Sequence, residues 1–401
     1  MSARDGAGAR LCAVSFKPCW QDASGRWFSS GGFPLQMRAI GSLFDEMILV
    51  VVRVSPEARE GAGGIPLPPN ARVVPLREPR GDDARQKLSV VARLPYYLWK
   101  IGISIRGADV VHLPVPGDIP LLAMLMSLFA RKRMIVRYGG SWPTNNQTTA
   151  VSRFTKACMR RFAGGRNVML ATGSGVEEPA PGVVWIFSTA LSAAELKRLN
   201  PILDRGLAQP PRLVYVGRLS EEKGVATLLR ALGVLARTGF APLPRLTLAG
   251  EGSQRAELEA LARELGVAEL VTFAGQLGRD RLSTELARAD VCVQPSLTEG
   301  FSKAWLDAMA HGLPVLASDV GAAREVIGSN EERGWIVPPG DVDALVATLQ
   351  RILTGHVDWS ALRTRCRRYV EGRTLEAWAE EIAARCVSQW NWALENGRLR
   401  P

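Results

Sequence analysis

Two acidic residues eight positions apart, Glu299 and Asp307, flank a short run of small, aromatic and basic residues. They lie within VCVQPSLTEGFSKAWLDAMAHGLPVLAS, residues 291–318. The stretch reads as a buried strand (Val291 to Pro295), a polar turn (Ser296 to Gly300), a helix starting near Ser302 and ending near His311, and a second buried strand (Pro314 to Ser318). Where a parallel strand runs into a helix, the first N–H groups and the positive end of the helix dipole point into the crevice at the strand ends. Gly300, Phe301, Ser302 and Lys303 would supply those groups. At about 3.6 residues per turn, eight residues come round to about 80°, so Asp307 falls on nearly the same face as Glu299. The pattern predicts an anion pocket and two carboxylates in one crevice. The plainer alternative is an ordinary helix start with an acid near its cap.

A second basic constellation precedes it. The strand Leu213 to Gly217 leads into Arg218, Leu219 and then Lys223-Gly224 before a helix rich in Leu and Ala. A glycine at a strand end allows close approach of backbone or ligand, and two cations there suit an anionic ligand. A surface Arg and Lys at a strand–helix turn is the competing reading.

Taken together these segments resemble the signature of glycosyltransferase family 4, the retaining, GT-B-fold enzymes that use nucleotide sugars. The resemblance rests on Gly217-Arg218-Leu219 with Lys223-Gly224, and on Glu299-Gly300-Phe301 with an acid eight positions after the first. Here that second acid is Asp307, one methylene shorter than the usual Glu, and Ser302 stands where Gly is commoner. The resemblance implies Arg218 and Lys223 on the leaving diphosphate and Glu299 supporting the sugar, these three being the catalytic set. It implies Asp307 on the ribose, with Gly217, Phe301, Ser302 and Lys303 completing the donor site. Gly31 and Gly32, a two-glycine turn after the first strand, take the family's phosphate-side role. Gly275 to Leu277 would lie near the nucleobase. Tyr138 stands where the family often has a His; a phenol is a poor base at neutral pH, given its usual pKa near ~10. No cofactor is implied beyond the donor, a nucleotide-diphosphate sugar, and no metal. The acceptor would be a glycan or lipid-linked sugar of cell-surface polysaccharide or glycolipid synthesis. A nucleotide-sugar epimerase and a non-catalytic partner of the same fold are the rival readings.

The elements that must position these residues follow from patterning. LCAVSF, MILVVVRV, ARVVPL, DVVHL, RMIVRY, NVMLAT and GVVWIF in the first half are short apolar runs separated by helical or loop segments. That alternation predicts an α/β fold with a doubly wound parallel sheet, and the strand–helix unit recurs in the second half. The expected architecture is GT-B, two Rossmann-like domains facing a cleft. Residues 1–200 would form the acceptor side and 201–373 the nucleotide-sugar side, with a proline-rich boundary near 201–211. Residues 374–401 would form a terminal helix crossing back, with Leu375, Trp378, Ile382 and Cys386 on one face.

Composition sets outer limits. With 401 residues and 47% hydrophobic content the chain suits two ordinary domains rather than disorder. The net charge of +11 is lopsided: residues 1–200 hold 26 Lys/Arg against 14 Asp/Glu, and the remainder 24 against 25. Such a surface suits anionic lipid headgroups, an anionic carbohydrate or nucleic acid, or is merely solvated, and the charge alone does not choose; the family resemblance implies no nucleic acid. Ala84 to Arg106 mixes Arg and Lys with Tyr96, Tyr97 and Trp99, which fits a membrane interface or a sheet-covering helix, and Pro95 argues against one continuous helix. Six scattered cysteines and a polar start, MSARDGAGAR, predict a reducing cytoplasm without secretion, the protein lying peripherally at the inner membrane face if at all. His112, His311 and His356 read as incidental, and no His, Cys and acid cluster suggests a metal.

Overall fold

The computed structural model describes residues 8–55, 64–78, 92–143, 148–201, 203–328 and 331–401. Residues 84–91 of the basic, aromatic segment lie outside them. The chain forms two compact units: one from the chain up to Ala190 together with Leu375–Pro401, the other from Leu191–Thr374. The change of unit at Leu191 comes before the proline-rich stretch at 201–211.

Unit one is built on β1 (Arg10–Gln21), β2 (Trp27–Ser29), α1 (Phe33–Gly41), β3 (Glu46–Arg53), β4 (Ile65–Pro66) and β5 (Ala71–Arg77). It continues through α2 (Leu94–Arg106), β6 (Val110–Val115), α3 (Asp118–Phe129), β7 (Arg133–Tyr138), α4 (Ala150–Arg161), β8 (Asn167–Thr172) and β9 (Val183–Ile186). Parallel pairings run β5-β3-β1-β6-β7-β8-β9, so strand order reverses at β1. The runs MILVVVRV and RMIVRY become central strands because both faces are covered: Val50 and Val136 pack on one side, Leu49 and Ile135 on the other. One feature departs from the expected pattern. The first strand continues past a register shift between Val14 and Pro18 and pairs antiparallel with β2, so the loop expected after LCAVSF is partly a hairpin. Pro95 stands in the first turn of α2, where a proline forfeits no helical hydrogen bond.

Unit two has α5 (Ala193–Arg198), β10 (Arg212–Val216), α6 (Val225–Arg237), β11 (Arg245–Ala249), α7 (Arg255–Glu264), β12 (Val271–Gly275) and α8 (Arg279–Arg288). It ends with β13 (Val291–Gln294), α9 (Lys303–Ala310), β14 (Val315–Ser318), α10 (Ala323–Ile327), β15 (Gly334–Val337), α11 (Val342–Thr354) and α12 (Trp359–Val370). Its sheet is wholly parallel, in the order β12-β11-β10-β13-β14-β15. Helix α6 lays Val225, Leu228, Leu229, Leu232 and Leu235 against the sheet at helical spacing, its outward positions carrying Arg230 and Arg237. Asp341 caps α11, its Oδ1 accepting the Ala344 N–H at 2.9 Å.

The chain then returns to unit one as α13 (Leu375–Trp390) and the hairpin β16 (Ala393–Glu395) and β17 (Arg398–Arg400). Trp378, Ile382 and Cys386 are fully buried against the α1 side of the first sheet. The closing hairpin gave no sequence signal beyond Asn396-Gly397. It is held by Leu399 N–H on Leu43 O at 2.8 Å and by Arg398 on Asp45 at 2.7 Å.

Candidate functional site

In a doubly wound sheet the strand order reverses at one point, and there the loops leaving the strand ends diverge and open a ligand crevice. In unit two that point lies between β10 and β13. The loop after β10 carries Gly217, Arg218 and Lys223, and the loop after β13 carries Glu299, Phe301, Ser302 and Lys303. The sequence-predicted donor residues of the two constellations therefore meet.

They meet through a specific contact. Lys223 Nζ lies 2.5 Å from Glu299 Oε2, both side chains largely shielded from solvent. The backbone secures the same junction, because Leu297 N–H donates to Glu222 O at 2.9 Å. Gly224 has φ +63°, and a Cβ there would stand 2.0 Å from Pro295 O, so only glycine fits. A third loop joins from β14. Gly321, at φ +57°, passes so near that a Cβ would meet Glu299 O at 2.3 Å, and Ala322 N–H donates to Gly300 O at 3.0 Å.

Arg218 is the open member of the set. Its side chain is 73% exposed and pairs with Glu222 at 2.9 Å. The turn beneath it is fixed by Tyr215, whose buried hydroxyl donates to Arg218 O at 2.6 Å and lies where any side chain at Gly217 would have to go. Burial pushes the Tyr215 phenol up, so it remains a donor. A tyrosine in a buried strand two residues before a strand-end glycine was the available signal, since a buried phenol needs a partner for its polar tip.

Ser302 precedes α9 without a side-chain cap bond, and the first-turn N–H groups point out along the axis as in any helix. Phe301 turns its ring inward onto Trp305, with centroids 6.0 Å apart, and leaves its backbone to the loop. Asp307 keeps different company from Glu299. Arg279 grips Glu195 bidentately at 2.6 Å and reaches Asp307 at 3.7 Å, while His311 Nδ1 bonds Asp307 O and its Nε2 bonds Ser283 Oγ, each at 2.8 Å. Each of the two acids has a cation beside it, Lys223 at Glu299 and Arg279 at Asp307. Burial raises the Asp307 carboxyl, which Arg279 opposes, and burial lowers His311. His311 is a structural member of this cluster. Glu195 was legible only as the last residue of a Ser192-x-x-Glu helix start, and Arg279 had no local signal.

Gly31 and Gly32 stand in unit one at the start of α1, where Gly31 adopts φ +69° in open space and Gly32 O accepts the Gln36 N–H at 3.0 Å. Tyr138, at the end of β7, is buried edge-on against Trp142 with centroids 5.6 Å apart, and Lys156 Nζ sits 5.0 Å from its ring centre. Burial raises its phenol pKa, so it offers no base near neutral pH. His112 bonds Ile135 O at 3.0 Å, and burial lowers its pKa to about 3.

Residues 205–373 match the family described as glycosyl transferases group 1. The MMP alpha-(1->4)-mannosyltransferase of Mycolicibacterium hassiacum is 36% identical over 128 residues, 32% of this chain and 30% of that protein. The amylovoran biosynthesis glycosyltransferase AmsK of Erwinia amylovora is 32% identical over 170 residues, 41% of each chain. The chain thus spans less than half the length of either relative. The solved structure of HepE from Anabaena with UDP and glucose aligns at a TM-score of 0.68 over 95% of this chain and 100% of that one, at 16% identity. The fold is GT-B, with two Rossmann-like units.

Proposed function

We propose that this chain is a retaining glycosyltransferase of family 4 type that moves a sugar from a nucleotide-diphosphate donor to a glycan or lipid-linked acceptor. One observation carries the reading: Lys223 and Glu299 pair at 2.5 Å across the point where strand order reverses, beside the exposed Arg218 and the start of α9. In the proposed reaction the bond from the anomeric carbon to the diphosphate oxygen breaks, and the acceptor oxygen bonds that carbon on the same face. The acceptor proton passes to the departing diphosphate, since Tyr138 is no base. Arg218, Lys223 and the α9 N–H groups stabilise the charge that develops on the diphosphate. Glu299 holds Lys223 and supports the sugar, and Asp307, braced by Arg279, holds the ribose.

These cations supply the charge that a divalent ion would otherwise supply, so the reading needs no bound metal, and transfer is expected to persist unchanged in excess chelator. The family match over 205–373 and the UDP in HepE support a nucleotide donor. The role of AmsK in amylovoran biosynthesis supports a cell-surface polysaccharide or glycolipid product. A cytoplasmic protein meeting its acceptor at an anionic membrane completes the proposal, supported by the basic excess of residues 1–200. The test is a thermal-shift panel of UDP, GDP and their sugar conjugates with the unmutated protein and Lys223→Ala. One nucleotide raising the midpoint of the unmutated protein alone is the expected result; silence across the panel overturns the reading.

A further inference from the structure

Surface helices normally carry polar residues on the side away from the sheet, and two neighbouring helices of unit one do not. In α2 the buried side is Tyr97, Ile101, Ser104 and Ile105. The opposite half presents Leu94, Pro95, Leu98, Trp99 and Ile103 to solvent, with Arg106 its one charge. Trp99 is 58% and Ile103 50% exposed. In α3 every residue after Asp118 except Ser127 is apolar or proline, and Ser127 is on the buried side. Leu125 is 40% exposed and Phe129, at the helix end, 95%. The two helices lie side by side: Met126 of α3 reaches Gly102 of α2, both half-buried, where a Cβ on the glycine would lie 3.4 Å from the methionine methyl carbon.

The charges around this apolar face are mainly cationic, although Asp109 lies within electrostatic reach of Lys132 and Asp118 opens α3. Lys100 Nζ sits 5.1 Å from the Trp99 ring centre. Arg106 closes α2; Phe129 ends α3, and Arg131 and Lys132 follow after Ala130. Lys132 ties the two helix ends together, its Nζ donating to Ala108 O at 2.6 Å and Arg106 O at 3.2 Å. Across both helices Asp118, at the start of α3, is the only acid. Exposed Trp and Phe with leucines and a cationic rim match a lipid interface, in which rings and aliphatic chains enter the headgroup boundary and Arg and Lys meet anionic phosphates. No helix among the described residues is long and apolar enough to cross a membrane. A lipid contact at this face would be interfacial rather than spanning.

We infer that the outer faces of the neighbouring helices α2 and α3, centred on Trp99, Ile103, Leu125 and Phe129, seat unit one on the surface of an anionic lipid bilayer. The inference rests on the membrane-side acceptor of the proposed function and names the surface that would reach it. Burying one large aromatic or aliphatic side chain is worth roughly tenfold or more in binding.

The test is co-sedimentation, without nucleotide, on vesicles of phosphatidylcholine with and without phosphatidylglycerol. The unmutated protein is expected to pellet with the phosphatidylglycerol vesicles. The double variant Trp99→Ser, Phe129→Ser is expected to lose at least about tenfold in affinity. Arg106→Glu with Arg131→Glu is expected to abolish the preference for anionic lipid while leaving the melting midpoint unchanged, which separates lost docking from lost folding. Equal vesicle binding by all forms overturns the inference. So does a dimer in light scattering that the serine substitutions dissociate while the unmutated protein ignores vesicles, since the face would then belong to a second copy. Nucleotide thermal shifts on the same variants are expected to be unaltered. A protein silent to nucleotides that still pellets with anionic vesicles loses the transferase reading and keeps this one.

Discussion

Both units are built on a doubly wound sheet, yet the cations beyond β10 and β13 in unit two and the cation at the end of β7 in unit one are held in opposite ways. In unit two the cations are matched: Lys223 by Glu299, Arg218 by Glu222, Arg279 by Glu195 and Asp307. In unit one Arg137 at the end of β7 is buried, and no carboxylate among the described residues pairs with it. Its guanidinium donates to Gln36 Oε1 at 3.2 Å and Thr172 Oγ1 at 3.3 Å and lies over the Trp378 ring. Burial alone lowers its pKa to about 10. A matched partner offsets part of the desolvation cost of a shielded cation and holds it in place. A buried cation held only by amide, hydroxyl and ring is fixed by packing and serves the architecture.

The sharpest way to break this contrast is Lys223→Ala. It leaves Glu299 without its cation, and transfer is expected to fall about a hundredfold to a thousandfold in steady-state assays while unit one keeps its stability. A loss of less than about tenfold would place the diphosphate elsewhere. Next is Gly224→Ala, which combines a left-handed backbone with a collision against Pro295 O. A destabilisation of at least about 2 kcal/mol is expected in denaturant unfolding of the second unit, with nucleotide response lost.

Unit one answers differently. Arg137→Ala is expected to cost about 2–3 kcal/mol through the cavity it opens. Arg137→Met is expected to cost no more than about 1 kcal/mol, because it fills the space without burying a charge. Equal costs for the two would mean that the charge itself is needed, and the contrast between the units would fail. The smallest effect concerns His112. Its folded pKa, about 3, lies below the usual histidine value, so the stability tied to its neutral form is complete above pH about 6.5 and drains away as the pH falls towards 3. His112→Asn is expected to flatten that part of the profile of melting midpoint against pH.

How far the sequence reaches is set by locality. The strands were legible as apolar runs because both sheet faces are covered, and the loops after β10 and β13 because their residue types sit within a few positions of one another. The β1–β2 hairpin was missed, since Pro18 and a register shift interrupt its period. The Arg279, Glu195 and Asp307 cluster was missed because its members lie far apart in the chain and only folding makes them neighbours. Likewise, the outward faces of α2 and α3 were half visible: the basic and aromatic residues of α2 stood out, but the apolar run of α3 reads equally as core until burial shows which half is covered.

The loops around Glu299 touch backbone to backbone at Gly224 and Gly321, and the loop after β11 does the same, with Gly250 against Gly217 O and Gly252 against Leu219 O. Shifting any one of them displaces its neighbours, so they behave as a single casting. For anyone wishing to retarget the donor, this divides the second unit into two territories. The casting tolerates no added methyl and is best left alone. On the donor site proposed above, room for redesign lies in side chains at its margin rather than in these glycines.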